Sequence, residues 1–171
     1  MTTQPTLKSP YCNTEFANSL ALLVLRLVLA LIFICSGGGK LFGWFGGPGI
    51  ENFSHYLVGM PILPPIVWAW MAALGEFLGG VSMLLGLLTR LGTIPLIVVM
   101  FVAIARVHGP NGFTGIPVKD VPGAVYPGYA FNVTIVAMAL ALLLAGPGLI
   151  SLDALFFRRC CWSRGPQPLA P

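Results

Sequence analysis

The sequence predicts an all-α integral membrane protein: a four-helix bundle with both termini on the same, cytoplasmic side. Three observations carry that expectation. The 171 residues are 57% hydrophobic and only 8% charged, and the mean hydropathy is +0.89, whereas soluble domains carry about 25% charged residues. Four apolar stretches recur, the first and last set off by long segments rich in Gly and Pro and the middle two joined by a very short link. One of them carries a single acid near its middle, Glu76. A carboxylate at that depth is costly and ordinarily faces the bundle interior with a partner.

In chain order, residues 1–18 read as a polar, flexible tail containing Pro5, Lys8 and Pro10. The membrane domain follows over 19–157, and 158–171 reads as a basic, proline-rich disordered tail. Span one is expected over about 19–36; at about 1.5 Å per residue its 18 residues cross a bilayer core. It is longer than a signal-peptide core, contains Arg26 and lacks an A-x-A cleavage pattern, so it reads as an uncleaved span. Ser36-Gly37-Gly38-Gly39-Lys40 is expected to loosen its end. The connection to Pro65 carries Phe42, Trp44, Phe45, Phe53 and Tyr56, a composition suited to the interface, with a short amphipathic helix over Glu51–Val58.

Span two is expected over 67–88, with Trp68 and Trp70 at one interface and Arg90 at the other. Gly75, Gly79 and Gly80 leave a bare face for a neighbouring helix. The three-residue link Thr89-Arg90-Leu91 makes a tight hairpin with span three, 92–107, whose Pro95 falls in its first turn. A Gly- and Pro-rich connection leads to span four, 129–145, stopped by Gly146-Pro147-Gly148, after which Asp153 starts a short interfacial helix. Lys8, Arg90, Arg158, Arg159 and Arg164 fall on the side of the termini, and Lys40, Arg106 and Lys119 on the other. Five against three puts the termini in the cytoplasm.

The net charge of +4 has no basic run with interleaved aromatics, so it speaks to topology and anionic lipid rather than to nucleic acid. Cys12, Cys35, Cys160 and Cys161 form no C-x-x-C, and neither histidine lies at ligand spacing from them; no metal site is expected. His55, between Ser54 and Tyr56 in a loop, needs no special role.

With the spans set flush at their edges, Arg26 and Glu76 differ in depth by about 8 Å. An Arg26–Glu76 pair would then remove the cost of two lone intramembrane charges. Otherwise Arg26 snorkels to the inner surface, and Glu76 is protonated or faces water. Lys40, Arg106, His108 and Asn132 collect at the opposite ends of spans one, three and four, and together with Glu76 they would line a pocket for a polar head group. Read blandly, Lys40 and Arg106 are interfacial anchors and His108 is a loop residue beside a Gly-Pro turn.

There is no G-x-S-x-G, H-E-x-x-H, P-loop or dinucleotide fingerprint, hence no self-sufficient catalytic motif. Two histidines in loops or at a span end do not make a bis-His haem site, so a redox group would be a diffusible quinone or one held by another subunit.

Three ordered stretches resemble the DoxX family of small four-span membrane proteins. They are Leu25-Arg26-Leu27-Val28 through Ser36-Gly37-Gly38-Gly39-Lys40-Leu41, then Gly75-Glu76-Phe77-Leu78-Gly79-Gly80 through Ala105-Arg106-Val107-His108 and Asn111-Gly112-Phe113, then Gly128-Tyr129-Ala130-Phe131-Asn132 through Asp153. The resemblance implies a four-helix membrane bundle linked to redox chemistry: partners in oxidoreductase complexes and oxidative-stress systems, with DoxD-type relatives in a thiosulfate:quinone oxidoreductase. The chain departs from the pattern at Ala130, where similar sequences often carry Glu, and in the loop from Gly43 to Pro65.

The expectation is thus an accessory or quinone- and small-molecule-binding subunit of a membrane redox system in a bacterial cytoplasmic (inner) membrane. The alternative is a small transporter or assembly factor with a structural Arg–Glu pair. The partners expected are the bilayer, an oxidoreductase subunit and further copies of the chain.

Overall fold

The computed structural model describes residues 11–59, 64–119, 121 and 123–156. The first part of the expected N-terminal tail, 1–10, and the whole expected C-terminal tail, 158–171, lie outside these residues, as do Lys8, Arg158, Arg159 and Arg164 of the charge count. The described chain is mostly helical: α1 (Tyr11–Phe42), α2 (Gly49–Val58), α3 (Pro65–Leu85), α4 (Thr89–Ala103) and α5 (Ala130–Ala145), with a two-stranded hairpin between α4 and α5. α1 packs on α3, α3 on α4, α4 on α5 and α5 back on α1, which closes a ring of four helices, and α2 lies against α1 and α3.

Three helical segments are long and apolar enough to cross a membrane: Thr14–Phe42, Pro65–Leu85 and Thr89–Asn111. The apolar α5 has 16 residues, about 24 Å at 1.5 Å each, which is short of a full span. The core is drawn from all four ring helices: Leu29, Ala30 and Phe33 of α1, Met83 of α3, Leu96 and Met100 of α4, and Ile135, Val136, Ala139 and Leu142 of α5. Large apolar side chains also point outward around the ring, among them Leu31, Leu78, Val98 and Leu144. A surface of that kind suits hydrocarbon and not water.

α1 differs from its expected bounds at both ends. It begins at Tyr11, inside the expected tail, and it runs on through Gly37, Gly38 and Gly39 to Phe42. Each mid-helix glycine costs roughly 1 kcal/mol relative to alanine. Here close packing offsets that cost. A β-carbon on Gly37 would overlap the backbone of Phe77, and one on Gly80 would overlap the backbone and side chain of Ile34. These two glycines let α1 and α3 approach at backbone distance, in the way that small residues serve membrane helix pairs. Gly79 does the same for α4, where a β-carbon would meet Leu96 and the carbonyl of Gly92. The small face of α3 is therefore occupied within the chain.

Pro64, extended, leads into α3 with Pro65 at its first turn, where the missing N–H is not needed. The helix stops at Gly86, whose φ of 63° closes the last turn onto the carbonyl of Ser82 at 2.9 Å. α4 starts three residues earlier than expected, so Pro95 sits inside it rather than in its first turn. Its C-terminal end passes through a π turn (Ile104–His108) and a 3-10 turn (Gly109–Asn111). The connection expected to be irregular instead pairs β1 (Gly115–Pro117) antiparallel with β2 (Val125–Pro127). A helical turn over 152–156 follows α5.

The α1–α3 contact generates a prediction. Gly37→Ala should lower stability by about 1–3 kcal/mol through overpacking. Gly59→Ala, where the nearest atom is 3.6 Å away, should stay within about 0.5 kcal/mol of the wild type. Thermal unfolding of the two variants in mild detergent checks the contrast.

Candidate functional site

Because α1 stays helical through its glycines, Ser36 and Lys40 lie one turn apart on the same face. That face meets α3 at Glu76, near the middle of the helix. The ammonium of Lys40 donates to both carboxylate oxygens of Glu76, at 2.5 and 2.6 Å, and to the hydroxyl of Ser36 at 3.2 Å. Ser36 in turn donates to Glu76 Oε2 at 2.8 Å. The three protons of the ammonium and the charge of the carboxylate are thus satisfied within one closed cluster. Glu76 is 1% exposed and Lys40 23%, and Ser36 is half-buried, so the carboxylate is the enclosed member and the cluster opens outward through the lysine and the serine.

Aromatic rings flank it. The Phe53 ring of α2 stands over the ammonium at 5.3 Å, inside the range of a cation–π contact. Phe42, Trp44 and Phe77 stack edge to face or tilted, with centroids 4.8 to 6.0 Å apart. Trp44 is brought in by a turn at Gly43 (φ 73°), and its ring covers Gly38 so closely that a β-carbon there would clash with it.

Arg26 is not part of this cluster, and the Arg26–Glu76 pair expected from the sequence does not form. Gly37 lies beside Phe77, so Arg26 sits eleven residues away along α1, about 16 Å by the helical rise and beyond the reach of a guanidinium. The flush-edge estimate failed because α1 extends past residue 36 and so shifts the register of the whole pair. Arg26 is 1% exposed and donates to three backbone carbonyls instead: Met83 at 3.0 Å through Nε, and Pro147 at 3.0 Å and Ile150 at 2.7 Å through Nη1. It joins α1 to the end of α3 and to the turn after α5.

Asp153 completes that knot. Its carboxylate accepts from the amides of Leu88 (2.8 Å) and Thr89 (3.0 Å), and its own amide donates to Gly86 (2.9 Å). It therefore caps α4 from a distant segment, a role the sequence does not betray, since nearby residues usually supply a cap. Among the described residues the hydroxyl of Thr89 is the buried side-chain polar atom without a hydrogen-bond partner.

The remaining residues expected in the pocket are held apart from the pair. No hydrogen bond or ion pair among the described residues links them to Lys40 or Glu76. Asn132 is buried and donates to Met100 Sδ at 3.4 Å, tying α5 to α4. His108 Nδ1 lies 3.1 Å from the carbonyl of Pro127, which also accepts from Asn111 at 3.0 Å. A carbonyl only accepts, so Nδ1 carries the proton in this contact. Both contacts hold the hairpin to the end of α4. Arg106 is exposed. No group of three or more His, Cys, Asp or Glu that could hold a metal ion occurs among the described residues.

The sequence reading missed Ser36, Phe53 and the role of Lys40 as the partner. The i, i+4 spacing of Ser36 and Lys40 was the available signal, and it shows only once the Gly-Gly-Gly run is taken as helix.

A ring of apolar helices enclosing a charge pair near the middle of one of them defines a small integral membrane protein. A family model described as DoxX matches residues 21–109, a little over half of the chain. The chain belongs to the DoxX family. The match takes in Arg26, Ser36, Lys40 and Glu76 and ends before the third of the stretches that carry the resemblance. No curated protein and no solved structure matches the chain.

Two predictions follow from the two charged clusters. Removing either partner of the Lys40–Glu76 pair leaves an uncompensated charge, so Lys40→Met or Glu76→Gln should each destabilise toward the lower part of about 3–5 kcal/mol. The double variant should lose less than the sum, which a double-mutant cycle in detergent reads directly. Arg26→Met leaves the carbonyls of Met83, Pro147 and Ile150 without their donor, at about 1–3 kcal/mol for a buried group left unsatisfied. Its expected mark is faster amide exchange confined to the end of α3 and to 146–153.

Proposed function

We propose that this DoxX-family protein is an accessory, small-molecule-binding subunit of a membrane redox system. The observation that carries this reading is the Lys40–Glu76–Ser36 cluster: a charge pair near the middle of an apolar helix, with Phe53 over its ammonium and a cluster of Phe42, Trp44 and Phe77 that starts at the residue next to Glu76. A quinone head group suits it. Its carbonyl oxygen takes over the share of the ammonium that Ser36 now holds, and the charge pair is not broken. Its planar ring stacks among aromatic side chains. In this reading the redox chemistry belongs to the quinone and to a partner oxidoreductase subunit, and the chain supplies orientation and a fixed charge.

The reading includes four spans. α5 crosses despite its 16 residues, with the bilayer thinning locally to meet it. Both termini then face the cytoplasm, in a bacterial inner membrane, and α2, the hairpin and the Lys40 end of the bundle face outward.

A second reading has its own observation. The Lys40–Glu76 cluster satisfies itself completely, as a purely structural pair would in a transporter or an assembly factor. In that reading it takes the part expected of Arg26 and Glu76.

Titration with a water-soluble quinone analogue separates the two. In a Trp68→Phe/Trp70→Phe/Trp162→Phe background, Trp44 is the remaining tryptophan, and its fluorescence should be quenched saturably. Folded Glu76→Gln should bind about tenfold more weakly or worse, the loss of a charge-assisted contact. No saturable quenching removes the binding reading. Proton-driven flux in proteoliposomes that disappears in Glu76→Gln would establish transport instead.

A further inference from the structure

We infer that α2 is a hinged lid over the Lys40–Glu76 pair, with Phe53 as its latch. What the lid admits rests on the binding reading above; that it opens rests on the geometry alone. α2 touches the bundle through a narrow face. Phe53 stands over the ammonium of Lys40, and Leu57, one turn later on the same face, is buried. Glu51, Asn52, His55, Tyr56 and Val58 are exposed. The carboxylate is 1% exposed and the lysine beside it 23%, and Phe53 stands over part of that ammonium, so moving α2 aside widens the opening to the pair.

The segment joining α1 to α2 is built to turn. Gly43, Gly46 and Gly49 all have left-handed φ, at 73°, 77° and 71°, which glycine adopts without strain. Phe45 between them is also left-handed, at 55°, an uncommon and strained conformation for a bulky residue. A β-carbon at Gly46 or Gly49 would meet nothing within 4 Å, so nothing is packed against the hinge at these two points. α2 has no side-chain cap at its first turn. Gly47 just before α2 rests on the backbone of Gly39, so the connector is fixed to α1 there and the turn falls at Gly49, which lets α2 open locally while α1 and α3 remain folded.

The test uses the full chain in lipid nanodiscs and the lipid-soluble reagent dicyclohexylcarbodiimide. The carboxyl oxygen of Glu76 adds to the carbodiimide carbon. The amine of Lys40 then displaces dicyclohexylurea and forms an isopeptide, so the protein loses one water in all. Peptide mass spectrometry follows its appearance. Phe53→Ala should speed the cross-link about fivefold or more, the loss of one cation–π contact. Phe53→Trp, which keeps a ring over the ammonium, should react no faster than the wild type. Equal rates for Phe53→Ala and the wild type would overturn the lid. Should Phe53→Ala not fold, amide exchange of the wild type decides. Residues 50–58 should exchange together and well ahead of 27–36 and 70–80, and comparable protection in the three segments would overturn the proposal. No quinone enters either measurement, so a failed lid leaves the binding reading standing, and absent quinone binding leaves the lid untouched.

Discussion

Hydrocarbon offers no hydrogen bonds, so every charge inside this bundle must be answered by the chain itself. Three charged side chains test that constraint, and they are answered in two different ways. Glu76 meets an opposite charge and a hydroxyl, from Lys40 and Ser36. Arg26 meets no carboxylate directly; three carbonyls freed at a helix end and a turn receive it. The first solution neutralises a charge. The second uses a charge to satisfy backbone groups that a helix terminus leaves open. The two clusters lie toward opposite ends of the α1–α3 pair, and each fastens segments far apart in the sequence.

Close packing is what makes the first solution possible. A lysine at the end of α1 reaches a carboxylate near the middle of α3 only because Gly37 and Gly80 bring the two backbones together. The glycines of α1 would weaken an isolated helix. In the bundle they hold Lys40 in register with Ser36, on the face turned toward Glu76. Helix propensity and tertiary packing thus pull in opposite directions over residues 37–39, and packing wins.

That contest also explains what was legible in the sequence. Hydropathy is a sum over long segments, so the helical class and the positions of α3, α4 and α5 could be read to within a few residues. The anomaly of Glu76 could be read too, because a buried acid is conspicuous anywhere in an apolar run. Its partner could not. Choosing between Arg26 and Lys40 required the axial register of α1 against α3, and a register shift of a few residues moves a side chain by many ångströms. The Gly-Gly-Gly run looked like a helix end, and that one reading both cut α1 short and took Lys40 out of the bundle. Asp153 was recognisable as the start of a helical turn, but not as the cap of α4, since a contact across 64 or more residues leaves no local pattern. The short hairpin between α4 and α5 was hidden for a similar reason: Gly and Pro dominate it, and its pairing depends on His108 and Asn111 holding Pro127.

The electrostatics of the pair bear on the class of function. Lys40 and Glu76 together carry no net charge, so a ligand bound beside them need not be ionic. A neutral group with a hydrogen-bond acceptor competes with Ser36 for one donor, a small exchange in free energy. An anion would have to compete with Glu76 itself, and a cation with the ammonium, each at the cost of exposing a buried charge. On the proposed binding reading the cluster would discriminate against charged ligands while leaving one donor negotiable. With Phe53 over that donor and further rings beside it, the side on which a ligand would arrive is aromatic. The proposed ligand, a flat, neutral, acceptor-bearing molecule that partitions into lipid, fits such a surface and would reach the pair from within the membrane.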